Sequence, residues 1–211
     1  MSRFQQKLVK AIASSLPQSH LHDGIIVLDM VDHLARCVIF EGSSKKGACF
    51  IWVGVLPLFH PISELTLNYS WRCRPYGSQY IEIPQGDVEV YAGSLMTEIK
   101  SDIASLMSIC SLGAFVEKFP LPPDELRPNK VLTSAIAEYL RGNKSTGIDF
   151  MRRVATLHGS NKIYEICRQT AIRYLEADTV GSGAFEALVA EKEKLIELNV
   201  LGLSPRKPSA A

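Results

Sequence analysis

The apolar residues of this chain change their period near its middle, and that change restricts the fold more than any other feature. From about Arg36 to Ile83 they alternate, as side chains do on a strand. From about Asp87 to Asn199 they recur every three to four residues, as on a helix face. A period-two half followed by a helical half has to bury a sheet face against helices. The fold class that follows is α+β.

The elements can be placed by local chemistry. Ser2 to Leu16 reads as an amphipathic helix with Phe4, Leu8, Ile12 and Leu16 on one face, stopped by Pro17. Pro17 to Gly24 is polar and reads as a loop. Strands are predicted at Ile25–Leu28, Arg36–Glu41, Ala48–Leu56, Glu64–Arg72 and Gln79–Ile83, with Gly42 to Gly47 as a hairpin loop. Glu64 to Arg72 alternates most cleanly. Leu65, Leu67, Tyr69 and Trp71 point one way; Thr66, Asn68, Ser70 and Arg72 point the other. Short links between these runs predict an antiparallel β-meander of four or five strands. A long helix, Asp87 to Cys110, should cover it through Tyr91, Leu95, Ile99, Ile103, Leu106 and Cys110.

Residues 120–128 hold four prolines and read as an extended connector. A C-terminal helical subdomain follows. Asn129 is expected to cap its first helix and Gly142 to end it. Thr146 with Asp149 resembles a capping box for the second. The third runs from about Ser160 to Glu176, and Gly181 to Gly183 opens the fourth, which carries Phe185, Leu188, Val189, Leu195 and Ile196. The domain expectation is a sheet domain over 1–119, a connector over 120–128, a helical subdomain over 129–203 and a flexible tail over 204–211.

Charge and cysteine content narrow the function classes. The 211 residues are 46% hydrophobic and 21% charged with a net charge of +1, so no overall field recruits nucleic acid or an anionic membrane. No window has the length of a membrane-spanning helix. Met1 to His22 has Arg3, Lys7 and Lys10 and no acidic residue, the profile of a transit peptide. The competing reading, a first helix docked on the sheet, is preferred because Pro17 ends it. A cytoplasmic protein is expected. Cys37, Cys49, Cys73, Cys110 and Cys167 lack disulfide or zinc spacing and read as reduced packing thiols.

Each pattern that suggests chemistry has a plainer reading. Gly42 to Gly47 has phosphate-loop spacing, but Ala48-Cys49 follows where Lys-Ser/Thr belongs, and it leads into a strand. His20, His22 and Asp23 would form a metal cluster if Asp32, His33 or His60 joined them. Asp32-His33 suggests an acid–base pair, since a carboxylate can orient an imidazole. Arg141, Lys144, Arg152, Arg153, Lys162, Arg168 and Arg173 concentrate charge in the helical half, as a nucleic-acid surface would. Trp52, Tyr69, Trp71, Tyr76 and Tyr80 lie on or beside the sheet with Arg72 and Arg74. They would serve as a base-stacking platform or as an aromatic patch for a protein partner.

None of these patterns assigns a catalytic, cofactor-binding or metal-binding residue, and no cofactor is expected. In its order of elements the chain resembles small bacterial immunity or antitoxin-type proteins. That resemblance implies a non-enzymatic cytoplasmic protein with a protein partner, or one that pairs with itself. The alternatives are a small hydrolase or metal-dependent enzyme built on His20, His22, Asp23 and His33, and a nucleic-acid-binding accessory protein using the basic helices.

Overall fold

A computed structural model describes residues 3–45, 47–62, 64–82, 86–181 and 183–203. The architecture is α+β, and it forms two compact units. One is Met1–Leu56 with Thr66–Ile109; the other is Pro57–Leu65 with Cys110–Ala211. The expectations for Phe4, Lys46, Ile83, Ser182 and the 204–211 tail lie outside the described residues or side chains.

The first unit is the sheet with two helices. Helix α1 (Arg3–Ser15) buries Leu8, Val9, Ala11 and Ile12 and exposes Gln6, Lys7 and Lys10, so its apolar stripe faces inward. It packs on helix α2 (Val88–Met107). Asp87 starts α2 by accepting hydrogen bonds from the amides of Glu89 and Val90. Ala92, Leu95, Ile99 and Leu106 are its buried face, each worth about 1–3 kcal/mol on burial. Cys110 falls past the end of α2 and is exposed, a correction to its expected place on the buried stripe.

The sheet has six strands: β1 (His20–His22), β2 (Ile25–Val31), β3 (Leu34–Gly42), β4 (Ala48–Pro57), β5 (Ser70–Arg72) and β6 (Ile81–Glu82). The order is β1-β2-β3-β4-β5, with β6 also on β4, and the described pairings are antiparallel. Two hairpins are as tight as hairpins become. Asp23-Gly24 links β1 and β2 with φ of 44° and 84°; Asp32-His33 links β2 and β3 with φ of 46° and 68°. Two central residues at positive φ make type I′ turns, whose twist matches the strands they join. Residues 17–24 are therefore not a plain loop, since they contain β1 and one of these turns.

Glu64–Arg72 is the main correction. Only Ser70–Arg72 is strand, paired with Gly54, Val53 and Trp52, and one further bond joins the Val55 amide to the Tyr69 carbonyl at 2.9 Å. A strand needs a partner as well as an alternating pattern, and β4 ends at Pro57. Arg36 then fixes the sheet to α2. Its buried guanidinium pairs with Asp29 and donates from Nη1 to the Met107 carbonyl at 2.7 Å, placing a cation at the negative end of the helix.

The second unit is helical: α3 (Leu112–Lys118), α4 (Pro128–Leu140), α5 (Lys144–Thr156), α6 (Lys162–Val180) and α7 (Ala184–Asn199). Helix α4 is buried from Val131 to Tyr139, with α3, α5 and α6 packed on it. Tyr139 stacks on Phe185 at 3.7 Å and donates from Oη to Asp178 at 2.6 Å; Tyr174 meets the same Phe185 ring at 4.7 Å. Lys192 of α7 donates from Nζ to the Pro61 carbonyl at 2.8 Å, tying the 57–65 segment to this unit. Two caps differ from expectation. Arg127 precedes α4 with Pro128 at its first position, because proline needs no amide partner there. Helix α5 starts after Asn143, so Thr146 lies inside its first turn. Leu195 is exposed instead of inward. Among the described residues no single helix is long and apolar enough to cross a membrane.

Candidate functional site

Strand alternation divides the aromatic residues between the two sheet faces. In the β4–β5 register Val53 faces Trp71 and Trp52 faces Arg72. Trp71 turns toward α2, where its indole Nε1 donates to Asp102 Oδ1 at 2.8 Å. Tyr76 does likewise, sharing a 2.8 Å hydrogen bond between its Oη and Ser94 Oγ. Trp71 thereby joins the sheet to α2, whereas Tyr76 lies in the turn at 75–77 and is 53% exposed.

Arg72 faces the other way, onto Phe50 and Trp52, which lie two residues apart on one side of β4. Its guanidinium carbon is 4.1 Å from the Phe50 ring centroid and 4.4 Å from that of Trp52. Tyr80 meets Phe50 edge-on at 6.4 Å, and Lys45 Nζ stands 5.1 Å from the Tyr80 ring. The result is a contiguous row of rings and cations: Trp52, Arg72, Phe50, Tyr80, Lys45. The first four are half-buried. Each cation over an aromatic face is worth about 0.5–2 kcal/mol, more where water is excluded.

The row is unevenly satisfied. Lys45 pairs with Glu82, and Trp52 Nε1 donates to Glu41 Oε2 at 2.9 Å. The Arg72 side chain makes no hydrogen bond or ion pair among the described residues. Of its nitrogens, Nε is the one both buried and unbonded, which leaves Nη1 and Nη2 as the reachable donors. A cation stacked on two rings with its donors unused is set up to receive an acceptor from outside the chain.

The residues singled out by sequence are dispersed. His22 Nε2 stands 3.5 Å from Asp23 Oδ2, beside an open groove of about 390 Å³ between α1 and β1. His20 is on the same strand. Asp32 and His33 are turn residues, as is Asp23. Asp and His tolerate positive φ better than most side chains, which accounts for their presence there. His60 is fully buried in the second unit, with Nδ1 3.1 Å from the Ile62 carbonyl oxygen and 3.2 Å from the Ile62 amide nitrogen. Burial lowers its pKa to about 4. Among the described residues no three His, Cys, Asp or Glu side chains converge as a metal would require. The Gly42–Gly47 loop carries Lys45 to Glu82 and leads into β4.

The basic residues of the helical half are largely answered by acids. Arg141 pairs with Glu138, Arg152 with Asp149, Arg168 with Glu165 and Arg173 with Glu191, and Arg153 donates to the Glu125 carbonyl. Lys144 lies 5.0 Å from the Tyr139 ring. The buried thiols are poor nucleophiles. Burial pushes Cys37, Cys49 and Cys167 up to about 12, and Cys73 up as well. The second unit has a small cleft of about 110 Å³ between α6 and α7, but Lys192, its one lysine, is already engaged with Pro61.

Phe50 is absent from the aromatic set that the sequence suggested, and it supplies half of the Arg72 cradle. Its spacing of two from Trp52 was readable; the register that sets Arg72 opposite was not. Comparison of the chain with protein-family models, with curated proteins and with solved structures finds no match.

Proposed function

We propose that this chain is a non-enzymatic, cytoplasmic protein-binding module, and that the Trp52–Arg72–Phe50–Tyr80 patch is its contact surface. The observation that supports this reading is Arg72, held over two half-buried rings with its donors unused. Tryptophan, tyrosine and arginine are the side chains that most often dominate binding energy when they cluster at an interface centre. A role as a bacterial immunity or defence-associated partner belongs to the same proposal. A base-stacking role is less well supported, because Arg72 already covers a face of both rings.

Capture from a lysate of the source organism tests the reading when wild type is run beside Trp52→Ala and Arg72→Ala. The expected result is a partner retained by wild type and lost from both variants, while a Lys162→Ala control at the exposed start of helix α6 retains it. A partner retained by all four proteins would refute the assignment of this surface. Light scattering of the purified chain shows whether the partner is a second copy.

A further inference from the structure

We infer that Arg72 is a receptor for one carboxylate, supplied by an aspartate or glutamate side chain of the partner protein. The inference rests on the reading of this patch as an interaction surface and adds the chemistry of what docks there. Phe50 and Trp52 fix the plane of the guanidinium, at 4.1 and 4.4 Å from its carbon. A fixed fork loses little freedom on binding, and its two terminal nitrogens match the two oxygens of a carboxylate. The buried, unbonded Nε shows that the cation has given up part of its hydration without a partner in return. An incoming carboxylate accepts from Nη1 and Nη2 and gives the guanidinium charge-assisted hydrogen bonds along its open edge, while Nε stays buried.

Charge selects carboxylate over phosphate. The neighbouring cation, Lys45, is held by Glu82, and Glu41 sits on the Trp52 indole. Among the described residues of this row, Arg72 is the cation without an acidic partner, and with Glu41 and Glu82 in the same row it suits a single negative charge. A phosphate dianion asks for several donors, such as a helix N-terminus or a group of cations, and would meet repulsion from Glu41 and Glu82. The rings beside Arg72 offer apolar surface for the residues flanking the acid.

The test uses the full wild-type chain, labelled with ¹⁵N, and follows the Trp52 indole and Arg72 Nε signals, each assigned with a Trp52→Phe or Arg72→Lys variant. The probes are N-acetylglutamic acid α-amide, its glutamine counterpart and inorganic phosphate, at matched ionic strength. We expect a saturable shift with the glutamate probe, none with the glutamine probe and a weaker response to phosphate. Arg72→Lys keeps the charge but not the fork, and should weaken the glutamate probe by about tenfold or more. No saturable shift, tighter binding of phosphate, or undiminished binding by Arg72→Lys overturns the inference. The reading of the surface is judged separately. A partner lost from Trp52→Ala but retained by Arg72→Gln sinks the carboxylate and leaves the surface standing.

Discussion

Gly147→Ala should destabilise the helical unit although alanine is the better helix former. Gly147 lies in the first turns of α5 where that helix crosses α4. A Cβ there would stand 2.7 Å from the Ala135 carbonyl oxygen and 2.9 Å from both the nitrogen and the Cβ of Tyr139. Heavy atoms settle at about 3.5–4.0 Å, so the helices would have to separate by more than half an ångström. Helix α4 has no room to give, since Ala135, Ile136 and Ala137 are 0% exposed. Overpacking of this kind costs about 1–3 kcal/mol, and retreat of α5 also loosens buried Met151 and Val154. Helix propensity returns about 1 kcal/mol. The overpacking alone leaves a net loss of up to about 2 kcal/mol, to which the loosening of α5 adds, and each kcal/mol lost lowers Tm by about 2–4 °C for a chain of this size. Gly93→Ala is the control. That glycine is exposed in α2 with nothing within 4 Å of the added carbon, and the same substitution should stabilise by about 0.5–1 kcal/mol. Urea unfolding followed by circular dichroism reads both. If Gly147→Ala proved as stable as wild type, the close crossing of α4 and α5 would be wrong.

Three further outcomes are expected. Burial holds His60 neutral with a pKa lowered from 6.5 to about 4, so the unfolded chain binds a proton that the folded one refuses. Stability should be full above pH 6.5 and fall toward pH 4 by about 3 kcal/mol, and His60→Leu should flatten that slope in denaturant titrations. Lys192→Met removes a nearby positive charge that helps keep His60 neutral, so the imidazole pKa should rise, read by NMR of its ring protons; an unchanged value would show that the two groups do not interact. Trp71→Phe keeps an aromatic ring but loses the bond to Asp102 and part of the indole's packing, and should cost at least about 1 kcal/mol in chemical denaturation.

Much of the fold was legible because the pattern that forms an element is local. The stripe of α2, its start at Asp87 and the strands β3 and β4 follow from period and capping alone. Asp23-Gly24 is the strongest short hairpin signal a sequence can offer, yet the three residues of β1 are too few to display a strand period, so the segment has the pattern of a loop. Glu64 to Arg72 misled in the opposite direction: its alternation is real, but pairing depends on where β4 ends. The site was half legible. Alternation alone separates Arg72 from Trp71. The meeting of Arg72 with Phe50 and Trp52 depends on a cross-strand register, which no spacing records.

The two units are interleaved along the chain, and this sets an order of events on the ribosome. The I′ hairpins can close as soon as β3 emerges, because their contacts are nearly all between neighbours in sequence. Pro57–Leu65 is made early but belongs to the later unit, and the lysine that anchors Pro61 follows 131 residues afterward. At ordinary translation speeds that interval is on the order of ten seconds. Throughout it Leu58 and Phe59, which are 3% and 0% exposed in the finished protein, wait without the helices that will cover them. Nascent chains arrested before α7 should therefore be the species most dependent on chaperones and most ready to aggregate.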